Sequence, residues 1–332
     1  MLSGFCFFIA CQSVIGNLNL MEFQGLCIGI DFGGTSVKMG VIKGHEIIDT
    51  APPIATQDFV GPKPLIEAIE RSIAFLRSEH PDIAAIGIGI PGFVDFEQGY
   101  VHNLTNVEGW REIPLADTLQ QLTGLPCIVE NDANCMAYAE AKFGSAQGHN
   151  HAVCLTLGTG VGGGLIVNGQ LLRGARSGAG EIGQTSIDYQ GRVGHYGNVG
   201  ALEDYIGNRE IAADARQTYA LHGIERSITE CSPAILAAAA NEGDEVAIKI
   251  WNDIAKKLAC ALVNCCYLLN PSAIVIGGGI AKAGDTLFEP LKRELFAQVK
   301  LAFAENLVIS QARFGNEAGM IGAAALASEF IV

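Results

Sequence analysis

A buried strand that runs into a glycine turn and returns as a second strand occurs twice in this chain, and this repeat restricts the fold more than any other feature. The first copy is Asp31-Phe-Gly-Gly-Thr35 and the second is Thr156-Leu-Gly-Thr-Gly160. Each copy lies between two apolar segments of strand length. The repeat predicts two similar α/β halves, each opening with strands around a turn of the size that holds a phosphate group.

The segments between and after the two copies have the periodicity of an α/β protein. The run Ile83–Ile90 is continuously apolar, which is typical of a strand buried on both faces. A helix is predicted from the 3.6-residue spacing of apolar residues between Leu65 and Leu76, and the longest helix is predicted from about Asp244 to Leu269. We expect the halves to meet at a hinge near residues 125–135.

Two other glycine patterns do not have the context that a nucleotide motif needs. Residues 87–92 and 158–163 each satisfy Gly-x-Gly-x-x-Gly, but neither is followed directly by a helix that could receive a pyrophosphate. The chain also contains no Gly-Lys dipeptide, so the Walker A motif is absent. The Rossmann and P-loop classes are therefore disfavoured.

The turn at Asp31 suits a phosphate and its metal ion. Glycines allow backbone N–H groups to point into a tight turn, and Thr35 adds a hydroxyl donor. Asp31 would face the metal ion that accompanies the phosphates. An ordinary hairpin would need only a single Asp-Gly or Asn-Gly pair. The second, matched turn favours the phosphate interpretation.

Between the turns lies Glu130-Asn-Asp-Ala-Asn134, where a predicted strand ends and a helix begins. Asp132 could serve only as a helix N-cap. Asn131 and Asp132 together, however, offer an amide and a carboxylate at the carboxyl end of a strand, where α/β sheets bind ligands. Polar residues of glycine-rich loops add to this set, although each alone is typical of a solvated loop: Asn103, Glu181 and Glu203. Together they suit a ligand covered with hydroxyl groups.

The charge of the chain excludes two classes of partner. It has 21 Lys and Arg against 35 Asp and Glu, a formal net charge of −14. Such a protein repels a phosphate backbone and an anionic membrane surface, so we expect neither nucleic acid nor membrane as a partner. The ten cysteines contain no Cys-x-x-Cys and are interpreted as reduced core residues of a cytoplasmic protein.

The first 20 residues are set apart from the fold. A signal peptide has Lys or Arg before its apolar run, and no such residue precedes the short apolar run here. The run is also far too short to span a bilayer. Met21 stands shortly before the first convincing strand. We interpret residues 1–20 as a non-native or disordered extension.

From Leu26 onward the sequence resembles the ROK family of bacterial sugar kinases, which belongs to the actin/hexokinase/Hsp70 superfamily. The resemblance rests on seven motifs in the family's order: Gly29-Ile-Asp-Phe-Gly-Gly-Thr35, Gly89-Ile-Pro-Gly92, Asn103-Leu104 with Trp110, Glu130-Asn-Asp-Ala-Asn134, Thr156–Gly164, Gly180-Glu181 and Ile276-Gly-Gly-Gly279. It implies two ribonuclease-H-like domains of the actin-like ATPase fold around an interdomain cleft. The expected domains are residues 21–130, completed by a helix at 316–332, and residues 131–315.

The resemblance also implies a hexose kinase that uses ATP and Mg²⁺, with glucose as the first candidate and N-acetylhexosamine, mannose or fructose as alternatives. It implies that Asp132 is the general base, and that Asp31 holds Mg²⁺ through water. The residues expected around the sugar are Asn103, Asn131, Asp132, Glu181, Gln184 and Glu203. The residues expected around ATP are Asp31, Gly33, Gly34, Thr35, Lys38, Gly158, Thr159, Gly160, Gly277, Gly278 and Gly279. We also expect a homodimer.

The sequence departs from the family at its structural zinc site. Most members use one histidine and three cysteines, and the corresponding positions here are Gln184, Gly194, Tyr196 and Ala201. The nearby His195 cannot rebuild a four-coordinate site alone. We therefore expect no zinc. Because the family's histidine also touches the sugar, Gln184 leaves the choice of sugar open.

Two other functions fit the same resemblance less well. Sugar-responsive repressors of the family need a DNA-binding domain ahead of the kinase-like part, and only thirty residues precede Asp31. A non-catalytic sugar-binding module would be favoured if Asp132 or the Gly-Thr turns had been lost, and they are present. Other enzymes of the superfamily lack the Glu-Asn-Asp segment.

Overall fold

The computed structural model describes residues 25–104, 107 and 109–331. The predicted extension at residues 1–20 lies outside them. The elements of the first half are β1 (Leu26–Phe32), β2 (Ser36–Lys43), β3 (Glu46–Thr50), β4 (Ile54–Ala55), α1 (Pro62–Glu79), β5 (Ile83–Ile90), β6 (Phe93–Asp95), β7 (Tyr100–Asn103), β8 (Arg111–Ile113), α2 (Leu115–Thr123), β9 (Cys127–Asn131) and α3 (Asp132–Phe143).

The second half repeats the opening theme and adds a helical layer. Its elements are β10 (Ala152–Leu157), β11 (Val161–Val167), β12 (Gln170–Leu171), α4 (Glu203–Ile206), α5 (Asn208–Leu221), α6 (Pro233–Asn241), α7 (Glu245–Leu269), β13 (Ala273–Gly277), α8 (Asp285–Phe296), α9 (Leu301–Ala304), β14 (Val308–Gln311) and α10 (Ala318–Phe330). Within the described residues, no helix is long and apolar enough to cross a membrane.

The two main sheets have the same topology, as the sequence repeat predicts. One has the order β3-β2-β1-β5-β9 and the other β12-β11-β10-β13-β14. In each, the strand before the glycine turn pairs antiparallel with the strand after it and parallel with the next strand of the sheet. The carboxyl ends of β1, β5 and β9, and those of β10 and β13, therefore gather at one edge of each sheet.

The last helix packs on the first sheet, and glycines make the close approach possible. A β-carbon at Gly29 would collide with the carbonyl oxygen of Met320, and one at Gly87 with that of Ala323. Helix α10 thus lies directly on β1 and β5, where it also meets α3. The division of the chain into domains at residue 130 stays a prediction.

The start of one strand differs from the sequence prediction in an informative way. The sequence predicts a strand over Gly163–Val167, whereas strand β11 begins at Val161. Its glycines favour no strand by propensity, but a β-carbon at Gly162 would lie 2.9 Å from Ala133 Cβ, and one at Gly164 would lie 2.9 Å from Ala133 O. The glycines are needed for α3 to pack on this strand, and packing outweighs propensity here.

Candidate functional site

Two carboxylates, Asp31 and Asp132, lie close together at the ends of β1 and β9. Asp31 is half-buried, opposite Lys38 of β2 and Gly89 of β5. Burial, followed by the charge of Asp132, raises the pKa of Asp31 to about 6, while Lys38 acts in the opposite direction. The structure thus brings together two acids that stand about one hundred residues apart in the sequence.

The start of α3 fixes the position of Asp132. Asn131 is the N-cap, and its Oδ1 accepts hydrogen bonds from the N–H groups of Ala133 at 2.9 Å and Asn134 at 3.2 Å. The alternative in which Asp132 itself caps the helix is therefore wrong, because Asp132 is the first helical residue. Burial of Asp132 raises the pKa of its carboxyl group. One of its carboxylate oxygens, Oδ1, accepts a hydrogen bond from Ala133 N at 2.8 Å.

The amide of Asn131 also ties α3 to the small sheet β6-β7-β8, which the sequence analysis did not predict. Its Nδ2 donates to Gly92 O at 3.2 Å. A β-carbon at Gly92, whose φ is 92°, would lie 2.5 Å from Asn103 O. Asn103 itself is exposed at the end of β7. Two residues predicted to bind sugar, Asn103 and Asn131, are thus held together through Gly92.

Glu203, the first residue of α4, lies against the second glycine turn. Its Oε2 accepts a hydrogen bond from Val161 N at 2.8 Å, and its Oε1 accepts one from Gln184 Nε2 at 3.3 Å. A β-carbon at Gly160 would collide with this carboxylate. Gly160 is therefore required for the approach of Glu203, a reason that the local motif does not reveal.

Glu181 completes a group of four carboxylates. Burial raises the pKa of Glu181, and the charges of Glu203 and Asp132 raise it further. Together with Asp31, these groups concentrate negative charge where the two sheets meet. Hydroxyl groups that donate hydrogen bonds to these carboxylates would relieve the repulsion.

The glycine turns differ in detail from the predicted anion-binding loops. The N–H of Gly33 donates to Ser36 O at 2.9 Å and that of Gly158 to Gly160 O at 3.0 Å, so both are used inside their own turns. The assignment of Gly33 and Gly158 to ATP therefore does not rest on these two N–H groups, and it stays a prediction. In the described part of the chain, four other backbone N–H groups of the turns have no acceptor, those of Gly34, Thr35, Thr159 and Gly160.

The first turn is held from behind by Thr56. This buried threonine donates through Oγ1 to Gly34 O at 2.8 Å, and its N–H donates to Thr35 O at 3.1 Å. The side chain of Thr35 is exposed. The turn is therefore fixed while its free N–H groups and the Thr35 hydroxyl stay accessible.

The third glycine run lies beside the second turn. Gly277 ends β13 opposite Thr156, and Gly278 has a φ of 84° and packs against the backbone of Leu157. A β-carbon at Gly279 would meet no atom within 4 Å, and the same holds at Gly158. Open space thus lies next to two glycines that were predicted to contact ATP.

The residues at the family's zinc positions differ from the usual set of one histidine and three cysteines. Gly194 and Ala201 have no ligand atom in their side chains. Across residues 25–104, 107 and 109–331, no group of three or more His, Cys, Asp or Glu side chains is arranged to hold a metal ion. The side chain of Gln184 instead donates through Nε2 to Glu203 Oε1, and the backbone carbonyl oxygen of Gln184 accepts from Asn198 Nδ2 at 2.8 Å.

The loop before Glu203 is held by Arg192. Its Nη2 contacts both carboxylate oxygens of Asp214 at 2.7 Å, and its Nη1 donates to Asp204 O at 2.9 Å. The guanidinium lies 4.6 Å above the ring of Tyr205, whose hydroxyl accepts from Arg192 N at 2.9 Å. Since Asp204 and Tyr205 directly follow Glu203, this arginine fixes the short helix that carries Glu203. The sequence gives no signal for these contacts.

Comparison with known proteins gives a consistent family assignment. Residues 27–330 match the model of the ROK family. The glucokinase of Halalkalibacterium halodurans is 36% identical over 306 residues, which cover 89% of this chain and 92% of that protein.

Solved structures include both kinases and regulators. A ROK family glucokinase from Streptomyces griseus, in complex with glucose and AMPPNP, matches with a TM-score of 0.78 and 32% identity over 92% of this chain and 100% of that chain. A ROK family transcriptional regulator, a homologue of the Escherichia coli MLC protein, matches with a TM-score of 0.83 and 26% identity over 93% of this chain and 78% of that chain.

Proposed function

The chain belongs to the ROK family, and on that premise we propose that it is an ATP-dependent sugar kinase that converts glucose to glucose 6-phosphate. The observation that carries this proposal is the position of Asp132 at the start of α3, where its charge acts on both Asp31 and Glu181, and the charge of Glu203 also acts on Glu181. A base close to a metal-binding acid and to a hydroxyl-binding acid is what phosphoryl transfer to a sugar requires.

In the proposed reaction Asp132 accepts the proton of the sugar hydroxyl that attacks phosphorus. A positioned base typically contributes about 10²–10⁴ in rate. Residues that hold other sugar hydroxyls keep the attacking oxygen near this carboxylate, and we assign this role to Asn103, Asn131, Glu181, Gln184 and Glu203. Asn131 acts mainly by position, since its Oδ1 caps α3 and its Nδ2 bonds to Gly92.

The residues present fit ATP and Mg²⁺. We assign Mg²⁺, through water, to Asp31, because a cation beside it would offset the raised pKa of its carboxyl group. The β- and γ-phosphates are assigned to the free N–H groups of Gly34, Thr35, Thr159 and Gly160, with Lys38 nearby. The nucleoside is assigned to the open space beside Gly279. Bound MgATP supplies an electrophilic γ-phosphorus with part of its charge neutralised.

The residues at the family's zinc positions do not fit zinc. The donor set at the family's zinc positions is incomplete, and Arg192 holds the same loop through Asp204, Tyr205 and Asp214. We therefore assign no zinc to the protein. The expected homodimer stays a prediction. ATP-dependent sugar phosphorylation supports the cytoplasm as the location, and so do the cysteines of the described residues, which are unpaired and mostly buried.

A panel of hexoses in a coupled assay with MgATP tests the proposal. We expect glucose to give the highest kcat/KM, with N-acetylhexosamine, mannose and fructose as the alternatives. Turnover of none of these sugars would contradict the kinase assignment. Binding of a sugar in calorimetry without turnover would instead favour a non-catalytic, sugar-binding role. The similarity to a ROK family transcriptional regulator is the reason for testing this alternative.

A further inference from the structure

The side chain of Arg173 lies where three segments of the proposed sugar site meet. It follows β12 in the loop that leads to Glu181, and its Nε donates to Glu130 Oε2 at 2.6 Å. Its guanidinium carbon lies 3.7 Å from the centroid of the Phe96 ring. We propose that Arg173, with Glu130 as its anchor, is the positioning residue that holds the sugar-binding segments in register. The proposal rests on the sugar kinase function given above.

Glu130 anchors the segment that carries the base. Its side chain is completely buried, and its Oε1 accepts hydrogen bonds from Asn131 N at 2.8 Å and Asn134 Nδ2 at 2.9 Å. Among the described residues, Arg173 is the only cation in contact with this carboxylate. A buried carboxylate needs a paired charge, so the backbone just before Asp132 depends on Arg173 for its order.

Phe96 brings in the second segment. It follows β6 in the small sheet that carries Asn103, and its N–H donates to Ser177 Oγ at 3.3 Å. A β-carbon at Gly178 would lie 3.0 Å from Phe93 Cε2, so the loop packs closely on this sheet. Stacking of a guanidinium on an aromatic ring adds a cation–π attraction to these contacts.

The third segment is the loop of Arg173 itself. The carbonyl oxygen of Arg173 accepts from Ala179 N at 2.9 Å, which closes the loop two residues before Glu181. Loss of the side chain should therefore loosen the segments of Asn103, Asp132 and Glu181 relative to one another. In the described structure, no hydrogen bond, ion pair or cation–π contact joins Arg173 or Phe96 to the turns assigned to ATP, so ATP binding should be spared.

The test compares Arg173→Gln with the double variant Glu130→Gln/Arg173→Gln. The single variant leaves a buried carboxylate without its cation, whereas the double variant replaces the ion pair by two neutral amides that can bond to each other. Arg226→Gln is the matched control, because Arg226 stacks 3.9 Å from the Tyr219 ring and pairs with Asp244 at 3.1 Å, away from the site.

In the coupled assay, Arg173→Gln should raise the KM for glucose at least tenfold and leave the KM for ATP within twofold. The double variant should have a KM for glucose much closer to the wild-type value than the single variant has. Arg226→Gln should leave the KM for glucose and the KM for ATP within twofold of wild type. A KM for glucose within twofold of wild type in Arg173→Gln, or equal rises for glucose and ATP, would overturn the proposal. A KM for glucose that is higher in the double variant than in Arg173→Gln would also overturn it.

Hydrogen exchange of the unliganded protein gives a readout that does not depend on turnover. Amides of residues 93–103 and 173–181 should exchange at least tenfold faster in Arg173→Gln, and those of α7 should be unchanged. Unaltered exchange in both segments would refute the positioning role. Failure of the wild-type protein to phosphorylate any sugar would instead refute the kinase proposal, so the two failures are distinct.

Discussion

Replacing Asp132 with asparagine should separate the chemistry at the start of α3 from its structure. The helix keeps its cap in this variant, because Asn131 accepts the N–H bonds of Ala133 and Asn134. The bond from Ala133 N to Asp132 Oδ1, at 2.8 Å, can be kept by an amide oxygen. The substitution removes only the negative charge and the capacity to accept a proton.

The expected loss of turnover is large, and the expected change in stability is small or favourable. A base worth about 10²–10⁴ in rate corresponds to about 2.7–5.4 kcal/mol in the activation barrier. Burial already raises the pKa of Asp132, and its charge contributes to the raised pKa of Asp31. Because removal of this charge relieves repulsion, the thermal midpoint of Asp132→Asn should equal or exceed that of the wild type.

Three measurements on one preparation check this expectation. Steady-state kinetics should show a kcat at least two decades below that of the wild type. Calorimetry should show a glucose affinity within a few-fold of the wild-type value, and a thermal melt should show a midpoint that is not lower. Asp285→Asn is the control, since Asp285 is also the first residue of a helix but is exposed. Turnover of Asp132→Asn close to that of the control would remove Asp132 from the mechanism.

Three further predictions follow from the packing of glycines and from the zinc positions. Gly158→Ala should keep the fold, because its β-carbon would meet no atom within 4 Å, but should raise the KM for ATP about tenfold or more while calorimetry shows unchanged glucose binding. Treatment with EDTA followed by excess Mg²⁺ should restore full activity, and stoichiometric zinc in a metal analysis would contradict the assignment of no zinc. Gly87→Ala should lower the free energy of unfolding by about 1–3 kcal/mol or more in a denaturant titration, since its β-carbon would collide with Ala323 O; an unchanged midpoint would show that α10 can shift.

The fold could be predicted because its signals are local and repeated. The run Ile83–Ile90 is a strand with the predicted bounds, and the helix predicted between residues 244 and 269 is α7. Apolar periodicity indicates which face of a helix or strand is buried, and the repeated glycine turn indicates that the two halves share one topology. The sheet orders follow from that repeat.

The site could be predicted only where its residues stand in motifs. Asp31, Asp132 and Glu181 are found from their neighbours in sequence, and the structure brings them together. The contacts of Arg173 and Arg192 are not found, because each arginine pairs with a carboxylate that is 43 or 22 residues away and no local pattern marks the partner. Whether Asn131 or Asp132 is the helix cap depends on where α3 begins, to within one residue. Apolar periodicity does not fix the start of a helix that finely.

Helix α3 packs on both main sheets, and through it both sheets fix the position of the Asp132 carboxylate. Its first turns pack on β11 through Gly162 and Gly164, and on β5 through Gly89, where a β-carbon would lie 3.1 Å from Cys135 Sγ. The helix is therefore in contact with both halves, and each glycine removes the side chain that would push it away. Because Asp132 is its first residue, any movement of one sheet against the other moves the base relative to one of the two glycine turns.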